Sequence, residues 1–324
     1  MATTVEEQLA IYLTNAHSIE LQALVQVQRA KDIAGDAELA AAFEKHVEET
    51  QRHERFVRSR LEALSWAPVS HKDVAGKATG IGFALFARFQ PDTPGKLAAH
   101  AYSYEHMELA AYDLLGRLAK RAEDSETELM AHMIEQDERK MAQRLEECFD
   151  GAVDASLREV GAEDLGDQLN KYLADAHAIE EQAIQLLKKG PKIAGVKELA
   201  DAFADHLEET NEHSALLERR LKARGSSPST LKDAVMRLGA LNWGMFFQAQ
   251  VDTPAKLAGF AYAFEHLEIA AYELLKRVAL RAADEDTVTL AETVLLQERN
   301  AAARIHSLFD YALDASLQEA GVTA

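Results

Sequence analysis

The stretch Glu105-His-Met-Glu-Leu-Ala-Ala-Tyr112 occurs twice in this chain, the second time as Glu265-His-Leu-Glu-Ile-Ala-Ala-Tyr272. A shift of 160 residues aligns the 324-residue chain with itself without a gap, and 66 of the 156 positions from residue 5 onward are then identical. A repeat of this length is a domain rather than a solenoid unit. We therefore predict two domains, residues 1–160 and residues 161–324.

Each repeat has the composition and the terminal signals of four long helices. Gly and Pro are scarce, at 16 and 6 residues, and 48% of the chain is hydrophobic. In the first repeat the signals predict helix A from a Thr4-x-x-Glu7 capping box to about Gly35, helix B from Asp36 to Leu64, helix C from Thr93-Pro94, and helix D from about Asp124-Ser125 into the late 140s or beyond.

The connection between helices B and C decides the architecture. It runs over residues 65–92, contains the apolar stretch 81–89, and is long enough to cross the bundle. One long crossover among four long helices is the ferritin-like arrangement. The sequence thus predicts an all-α protein of two tandem ferritin-like four-helix bundles, each with a long B–C crossover.

Polar residues interrupt the apolar face of every predicted helix, at the same places in both repeats. Glu20 lies in the middle of the helix A seam, and His46 and His53 lie within the helix B face, with Glu49 at its edge. Glu105 and Glu108 lie near the centre of the helix C face. Glu138 is the corresponding residue of helix D, whereas Glu135 and Asp137 have no acidic counterpart in the second repeat.

These residues have ordinary explanations as well as a functional one. A lone inward glutamate can form a buried ion pair, and a lone histidine is more often a satisfied core residue than a ligand. The apolar seams that contain these residues have no Lys or Arg, although arginines at their margins could reach in, and the glutamates lie at similar depths along their helices. Clustered carboxylates from four helices, with histidine from helix B, are the pattern of a di-metal carboxylate site.

We therefore predict two metal ions in each bundle, and we expect iron or manganese rather than zinc because most ligands are oxygen. The predicted ligands are Glu20, Glu49, His53, Glu105, Glu108 and Glu138 in the first repeat and Glu180, Glu209, His213, Glu265, Glu268 and Glu298 in the second.

Three stretches of the sequence resemble the YciE/YciF family of ferritin-like stress proteins. They are Ser18-Ile-Glu-Leu-Gln22, residues 39–50 with their His-x-Glu-Glu-Thr core, and residues 105–112. The resemblance implies small four-helix bundles that pair as dimers, so the tandem chain would be a dimer within one polypeptide. It also implies a rubrerythrin-like di-metal site, with Glu20, Glu49, Glu105, Glu108, Glu138 and their counterparts as ligands.

Two departures from the usual ferritin-like pattern concern histidine. The residue three places before His53 is Thr50 rather than glutamate, and Met141 and Ala142 stand where helix D normally supplies a histidine. We therefore expect at most one histidine ligand from helices B and D. His17, which recurs as His177, lies on the flank of helix A, where it can support a ligand.

The expected function is a reaction of the metal pair with peroxide or dioxygen in stress protection. Peroxidase, catalase-like and ferroxidase chemistry all remain open. The alternative is a non-catalytic stress-related scaffold or metal-binding protein. Cys148 is the only cysteine, which excludes a rubredoxin-like four-cysteine iron site and predicts a reducing, cytoplasmic location.

Charge and hydropathy limit the partners. A net charge of −19 disfavours binding to nucleic acid or to an anionic membrane, because the phosphate field would repel the protein. No apolar run approaches the roughly 18 residues of a membrane span, and the first residues lack the pattern of a signal peptide. We expect the two repeats to pack as an internal pseudo-dimer, with a contact through the crossover aromatics Phe83, Phe86, Phe89, Trp243, Phe246 and Phe247 as one possibility.

Overall fold

A computed structural model describes residues 4–67, 93–227 and 253–322. Across these residues it contains helices and no strands. The long helices of the first repeat are α1 (Val5–Ile33), α2 (Ala37–Ala63), α3 (Pro94–Arg121) and α4 (Ser125–Glu147), followed by the short α5 (Phe149–Ser156). The second repeat has α6 (Leu165–Lys189), α7 (Lys197–Ala223), α8 (Thr253–Arg281), α9 (Glu285–Ser307) and α10 (Phe309–Glu319), with a 3₁₀ turn at Gly190–Lys192.

The four long helices of the first repeat begin at side-chain caps, as the sequence predicts. Thr4 and Glu7 form a reciprocal capping box at the start of α1, and the Asp36 side chain accepts a hydrogen bond from the Leu39 amide at the start of α2. Thr93 caps α3 with Pro94 in its first turn, and Asp124 caps α4. These caps satisfy backbone amides that would otherwise have no partner at a helix terminus.

Within each repeat the four long helices form two hairpins that pack against each other, with α1 beside α3 and α2 beside α4. Three residues connect α1 to α2 and three connect α3 to α4, which makes each pair antiparallel. Gly35, between α1 and α2, adopts a φ of +67°, and a Cβ there would lie 2.7 Å from the Pro94 ring. This glycine lets the first hairpin contact the start of the second.

The two repeats contact each other through their third helices. Ser103 Oγ in α3 donates a 2.7 Å hydrogen bond to the backbone carbonyl of Ala263 in α8, its own counterpart in the repeat. Arg117 in α3 pairs with Asp310 in α10, and the equivalent Arg277 pairs with Asp150 in α5. Equivalent residues thus exchange roles across the contact, as in a pseudo-two-fold dimer, with residues 103 and 263 facing each other.

The structure describes His106 but not the crossover aromatics. The helical wheel directs His106 away from the core of its own bundle, and the structure buries it in the contact between the repeats. The crossover aromatics, and the apolar stretch 81–89 that contains three of them, lie outside the described residues. In the described part of the chain, no helix combines the length and the apolar character needed to cross a bilayer.

Candidate metal centre

Six polar side chains meet in the middle of the first bundle. Glu20 comes from α1, His46 and His53 from α2, Glu105 and Glu108 from α3, and Glu138 from α4, and each of these residues is at most 1% exposed. Their counterparts Glu180, His206, His213, Glu265, Glu268 and Glu298 are buried in the second bundle. The helical spacing predicted from the sequence therefore brings five of the six predicted ligands in each repeat to one layer.

The ligand atoms fall into two groups that share one carboxylate. His46, Glu105, Glu108 and Glu138 form one group, and Glu20, His53 and Glu138 form the other, with all ligand atoms of a group within 4.8 Å of one another. The second bundle repeats both groups, with Glu298 as the shared residue. Each group has the size and donor types needed to hold a metal ion.

The distances within the groups are short. His46 Nε2 lies 3.3 Å from Glu105 Oε2 and 3.4 Å from Glu138 Oε2. His53 Nδ1 lies 2.7 Å from Glu138 Oε1 but is not aligned with it as a hydrogen bond. Each histidine thus directs one ring nitrogen at the shared carboxylate, His46 from one group and His53 from the other.

The carboxylates of α1 and α3 resist ionisation. Burial raises the pKa of Glu20 to about 8, and the Glu138 charge acts in the same direction, although His53 opposes it. Burial also raises the pKa of Glu105 and of Glu108 well above the usual range, and the neighbouring carboxylates add to this effect. In the absence of a cation, these three groups therefore favour their protonated forms.

Glu138 and the histidine beside it behave in the opposite way. Burial disfavours the Glu138 charge, but His46 and His53 outweigh burial and lower the pKa of Glu138. Burial likewise disfavours a charged His53, but Glu138 and Glu20 raise its pKa to about 9. In the second bundle the same balance lowers the pKa of Glu298 to about 2. In each cluster the histidines therefore stabilise the charge of one carboxylate, Glu138 or Glu298. A bound cation would also favour the ionised forms of the remaining carboxylates.

Unsatisfied atoms show that the side chains suit a metal. Among the described residues, neither carboxylate oxygen of Glu108 has a hydrogen-bond partner, and the same holds for Glu268. No Lys or Arg of the described chain forms an ion pair with Glu20, Glu105, Glu108 or Glu138. A buried carboxyl group without a partner costs about 1–3 kcal/mol, and a cation bound at these two equivalent positions would offset that cost. An oxygen-rich set with histidine fits a divalent transition metal.

Glu49 and Glu209 are the predicted ligands that the structure leaves outside these groups. Arg144 of α4 donates two hydrogen bonds to Glu49, of 2.7 and 2.9 Å, and His46 Nδ1 lies 3.3 Å away. Burial acts against the charge of Glu49, but His46 and Arg144 outweigh it and lower its pKa to about 2. Glu209 is half exposed and contacts His206 Nδ1 at 3.0 Å.

His46 takes a position that the predicted ligand set did not include. Its Nε2 atom faces the cluster, and its Nδ1 atom faces Glu49. The structure thus brings two histidines, both from α2, to the candidate groups, where the sequence predicts at most one from helices B and D. The signal was present in the sequence, because His46 lies on the apolar face of helix B, seven residues before His53, and recurs as His206.

Residues outside the two ligand groups contact the candidate ligands and restrict their orientation. The Tyr112 hydroxyl donates a hydrogen bond to Glu20, and Tyr272 does the same for Glu180. Asp137, which sequence comparison between the repeats discounted, lies 3.5 Å from His53 Nε2, and its replacement Gln297 lies 2.9 Å from His213 Nε2. Both side chains accept from the ring nitrogen that points away from the cluster, so the position keeps its role although the charge changes.

His17, the expected supporting residue, contacts Glu54 of α2 at 3.0 Å. Its counterpart His177 lies 3.3 Å from Ser214, which occupies the position of Glu54. Both histidines thus connect the first and second helices of their bundle, at a position where the two repeats use different partners.

An all-α protein whose four-helix bundles bury glutamates and histidines at their centres belongs to the ferritin-like class. Two consecutive segments, residues 4–158 and 164–318, match the family described as a domain of unknown function, DUF892. The chain belongs to this family, which is ferritin-like, and carries two copies of its domain. No solved structure matches the chain.

Proposed function

We propose that this protein is a di-metal carboxylate protein that holds two iron or manganese ions in each bundle and reacts with peroxide or dioxygen in stress protection. The observation that carries the proposal is the pair of ligand groups joined by one carboxylate, Glu138 in the first bundle and Glu298 in the second. A carboxylate has two oxygens and can therefore serve two cations at once.

The residues divide naturally between two metal positions. His46, Glu105 and Glu108 would hold one ion and Glu20 and His53 the other, with Glu138 between them. Iron or manganese fits this set better than zinc, because oxygen donors predominate. When bound, either metal would supply a reversible change of oxidation state.

The side chains around the ligands exclude water and fix orientation. Because the cluster residues are almost fully buried, water competes little for the ligand positions. The Tyr112 hydroxyl restricts Glu20, and Asp137 restricts His53 through its outer nitrogen. Such outer contacts commonly change metal affinity by about 10- to 100-fold.

The resemblance to the YciE/YciF stress proteins supports the oxidant-related role, and the single cysteine supports a cytoplasmic location. Burial of the ligands also favours a second function, in which the protein binds metal or acts as a scaffold without turnover. These two functions differ in one measurable property, the consumption of peroxide or dioxygen by metal-loaded protein.

The test is metal content per chain after expression with iron or manganese supplied, followed by an assay of peroxide consumption. We expect metal in the wild-type protein and a large loss in Glu138→Ala/Glu298→Ala. The control is Glu48→Ala/Glu208→Ala, which removes the same charge from exposed positions of α2 and α7. A wild-type protein that carries no metal would contradict the metal proposal. Metal without oxidant consumption would favour the second function.

A further inference from the structure

The two clusters have the same inner residues but different surroundings. In the first bundle Arg52 and Lys140 both pair with Asp137, at 2.7 and 2.9 Å. The three equivalent positions of the second bundle hold Glu212, Asn300 and Gln297. All three positions thus differ between the repeats, and the positive charges of Arg52 and Lys140 near the first cluster have no equivalent near the second.

The largest difference concerns Glu49 and Glu209, although the arginine that faces them is present in both repeats. Arg144 forms two hydrogen bonds with Glu49, whose side chain is 9% exposed. The equivalent Arg304 instead pairs with Asp205 at 2.7 Å, and the side chain of Glu209 is 47% exposed. The same arginine therefore covers the carboxylate in one bundle and leaves it accessible in the other.

One sequence position explains this difference. Asp205 lies one helical turn before Glu209 on α7 and offers Arg304 an alternative acceptor. The equivalent residue in α2 is Lys45, which has no acceptor and repels an arginine. Arg144 is thus directed to Glu49, whereas Arg304 is directed away from Glu209.

Glu209 is connected to the second cluster through a single imidazole. His206 Nδ1 lies 3.0 Å from Glu209, and His206 Nε2 lies 2.9 Å from Glu265 in the cluster. An exposed carboxylate at this place can bind a cation that is still partly hydrated, next to the buried ligands. In the first bundle the ion pair between Glu49 and Arg144 occupies that place and opposes a cation by charge.

We propose that the two metal sites are kinetically unequal. The second bundle exchanges divalent cations with solvent faster than the first, because Glu209 is accessible to cations whereas Glu49 is paired with Arg144. This inference rests on the proposed metal binding. In this proposal Glu209 is a surface ligand for cations that enter or leave the site. Asp205 directs Arg304 away from Glu209, and Lys45 directs Arg144 to Glu49.

The test is the rate at which an excess of a chromophoric chelator removes Mn²⁺ from the loaded full-length chain. Wild-type protein should release Mn²⁺ in two phases of similar amplitude, with rates that differ by up to roughly fivefold, the upper end of the scale set by one partly exposed ion pair. Glu138→Ala, which disables the first cluster, should keep the fast phase. Glu298→Ala should keep the slow phase.

Reciprocal exchange at positions 45 and 205 tests the cause without altering a ligand. Asp205→Lys should slow the fast phase, because Arg304 loses its alternative partner and turns to Glu209. Lys45→Asp should accelerate the slow phase. Both positions are exposed on long helices, so these variants should fold, and circular dichroism verifies this. The control is Glu208→Lys, an equal charge change at an exposed neighbouring position.

The outcomes separate this inference from the proposed function. A single release phase in wild-type protein, unchanged by Asp205→Lys, would overturn the inequality of the sites while leaving metal binding intact. Equal slowing by Glu208→Lys and Asp205→Lys would overturn the role of Arg304, because net charge alone would then account for the rates. Wild-type protein that binds no Mn²⁺, and no iron, would overturn both proposals.

Discussion

The imidazole rings of His106 and His266, which occupy the same position in the two repeats, are stacked with their centroids 3.5 Å apart. In each ring Nδ1 lies 2.8 Å from a backbone carbonyl one turn earlier, that of Tyr102 or Tyr262. The stack thus joins α3 to α8 at the centre of the contact between the repeats.

Because the two rings contact each other, their contributions to stability should be coupled. We expect His106→Ala and His266→Ala each to lower the free energy of unfolding by about 1–3 kcal/mol, and the double variant to lose less than the sum by about 0.5–1.5 kcal/mol. Urea denaturation of the four proteins measures this coupling. Additive losses would mean that the stack contributes nothing beyond separate burial, and His132→Ala, at an exposed position, is the control.

Glu20→Leu combined with Glu180→Leu should weaken metal binding yet leave the metal-free fold intact or more stable. The substitution removes a buried carboxyl group from an apolar seam, and burial of such a group is unfavourable. The Tyr112 hydroxyl then loses its acceptor, so adding Tyr112→Phe and Tyr272→Phe should raise stability further, by about 1 kcal/mol. Thermal unfolding after chelator treatment measures both effects. A loss of several kcal/mol in the metal-free protein would instead assign Glu20 a structural ion pair.

Tyr112→Phe alone tests how the ligand is oriented. Without the hydroxyl that donates to Glu20, we expect Mn²⁺ affinity in the first bundle to fall by about tenfold, with little change in the helical content. Titration calorimetry on a Glu298→Ala background reports the first bundle alone. Tyr102→Phe, a buried tyrosine of the same helix in the contact between repeats, should leave the affinity unchanged.

Metal removal should lower the thermal stability of the protein. Ligands that bind only the folded state stabilise it by mass action, by about 2.7 kcal/mol when the free metal is 100-fold above its dissociation constant. Mn²⁺ should therefore raise the melting temperature of chelator-treated wild-type protein in a concentration-dependent way. It should have no such effect on Glu138→Ala/Glu298→Ala. A melting temperature indifferent to Mn²⁺ in the wild type would argue against binding at these buried groups.

The cap of α4 should weaken only as the pH falls below the ordinary titration range of aspartate. Burial disfavours the Asp124 charge, but Arg60 and Thr127 outweigh it and hold the pKa of Asp124 below its usual 3.8. The stabilisation is therefore present above that value and is lost as the pH falls through the lower folded-state pKa.

The measurement is the difference in unfolding free energy between wild type and Asp124→Asn as a function of pH. At neutral pH we expect about 1–2 kcal/mol in favour of wild type, from the helix cap and the charged hydrogen bond to Arg60. The difference should shrink below the ordinary aspartate range. Glu126→Gln, at the exposed partner of Arg60, should change stability by less than about 0.5 kcal/mol. A difference that persists unchanged in acid would assign the effect to shape rather than charge.

The sequence carried most of the fold because its signals are local. The capping residues Thr4, Asp36, Thr93 and Asp124 determine helix starts through contacts three residues away, and such contacts can be recognised without the tertiary structure. The sequence does not predict the break at Cys148 that separates α5 from α4, because this break involves no proline or glycine and no side-chain cap.

The candidate site was only partly predictable, because long side chains cross between helices. Periodicity placed Glu20 and Glu138 on inward faces, and the structure brings them to one layer. It could not place Arg144, which reaches from α4 to bind Glu49. It also undervalued His46, since a buried histidine becomes a candidate ligand only when the carboxylates of three other helices are known to face it.

The fusion of both bundles into one polypeptide has a consequence for how the protein can diversify. In an assembly of two identical chains, each substitution is inherited by both partners, and an oppositely charged pair such as Lys45 and Asp205 cannot arise at symmetry-related positions. A single gene that encodes both halves removes this restriction, while the nearly symmetric contact between α3 and α8 is retained. Each bundle can therefore accumulate its own mutations around a common inner layer.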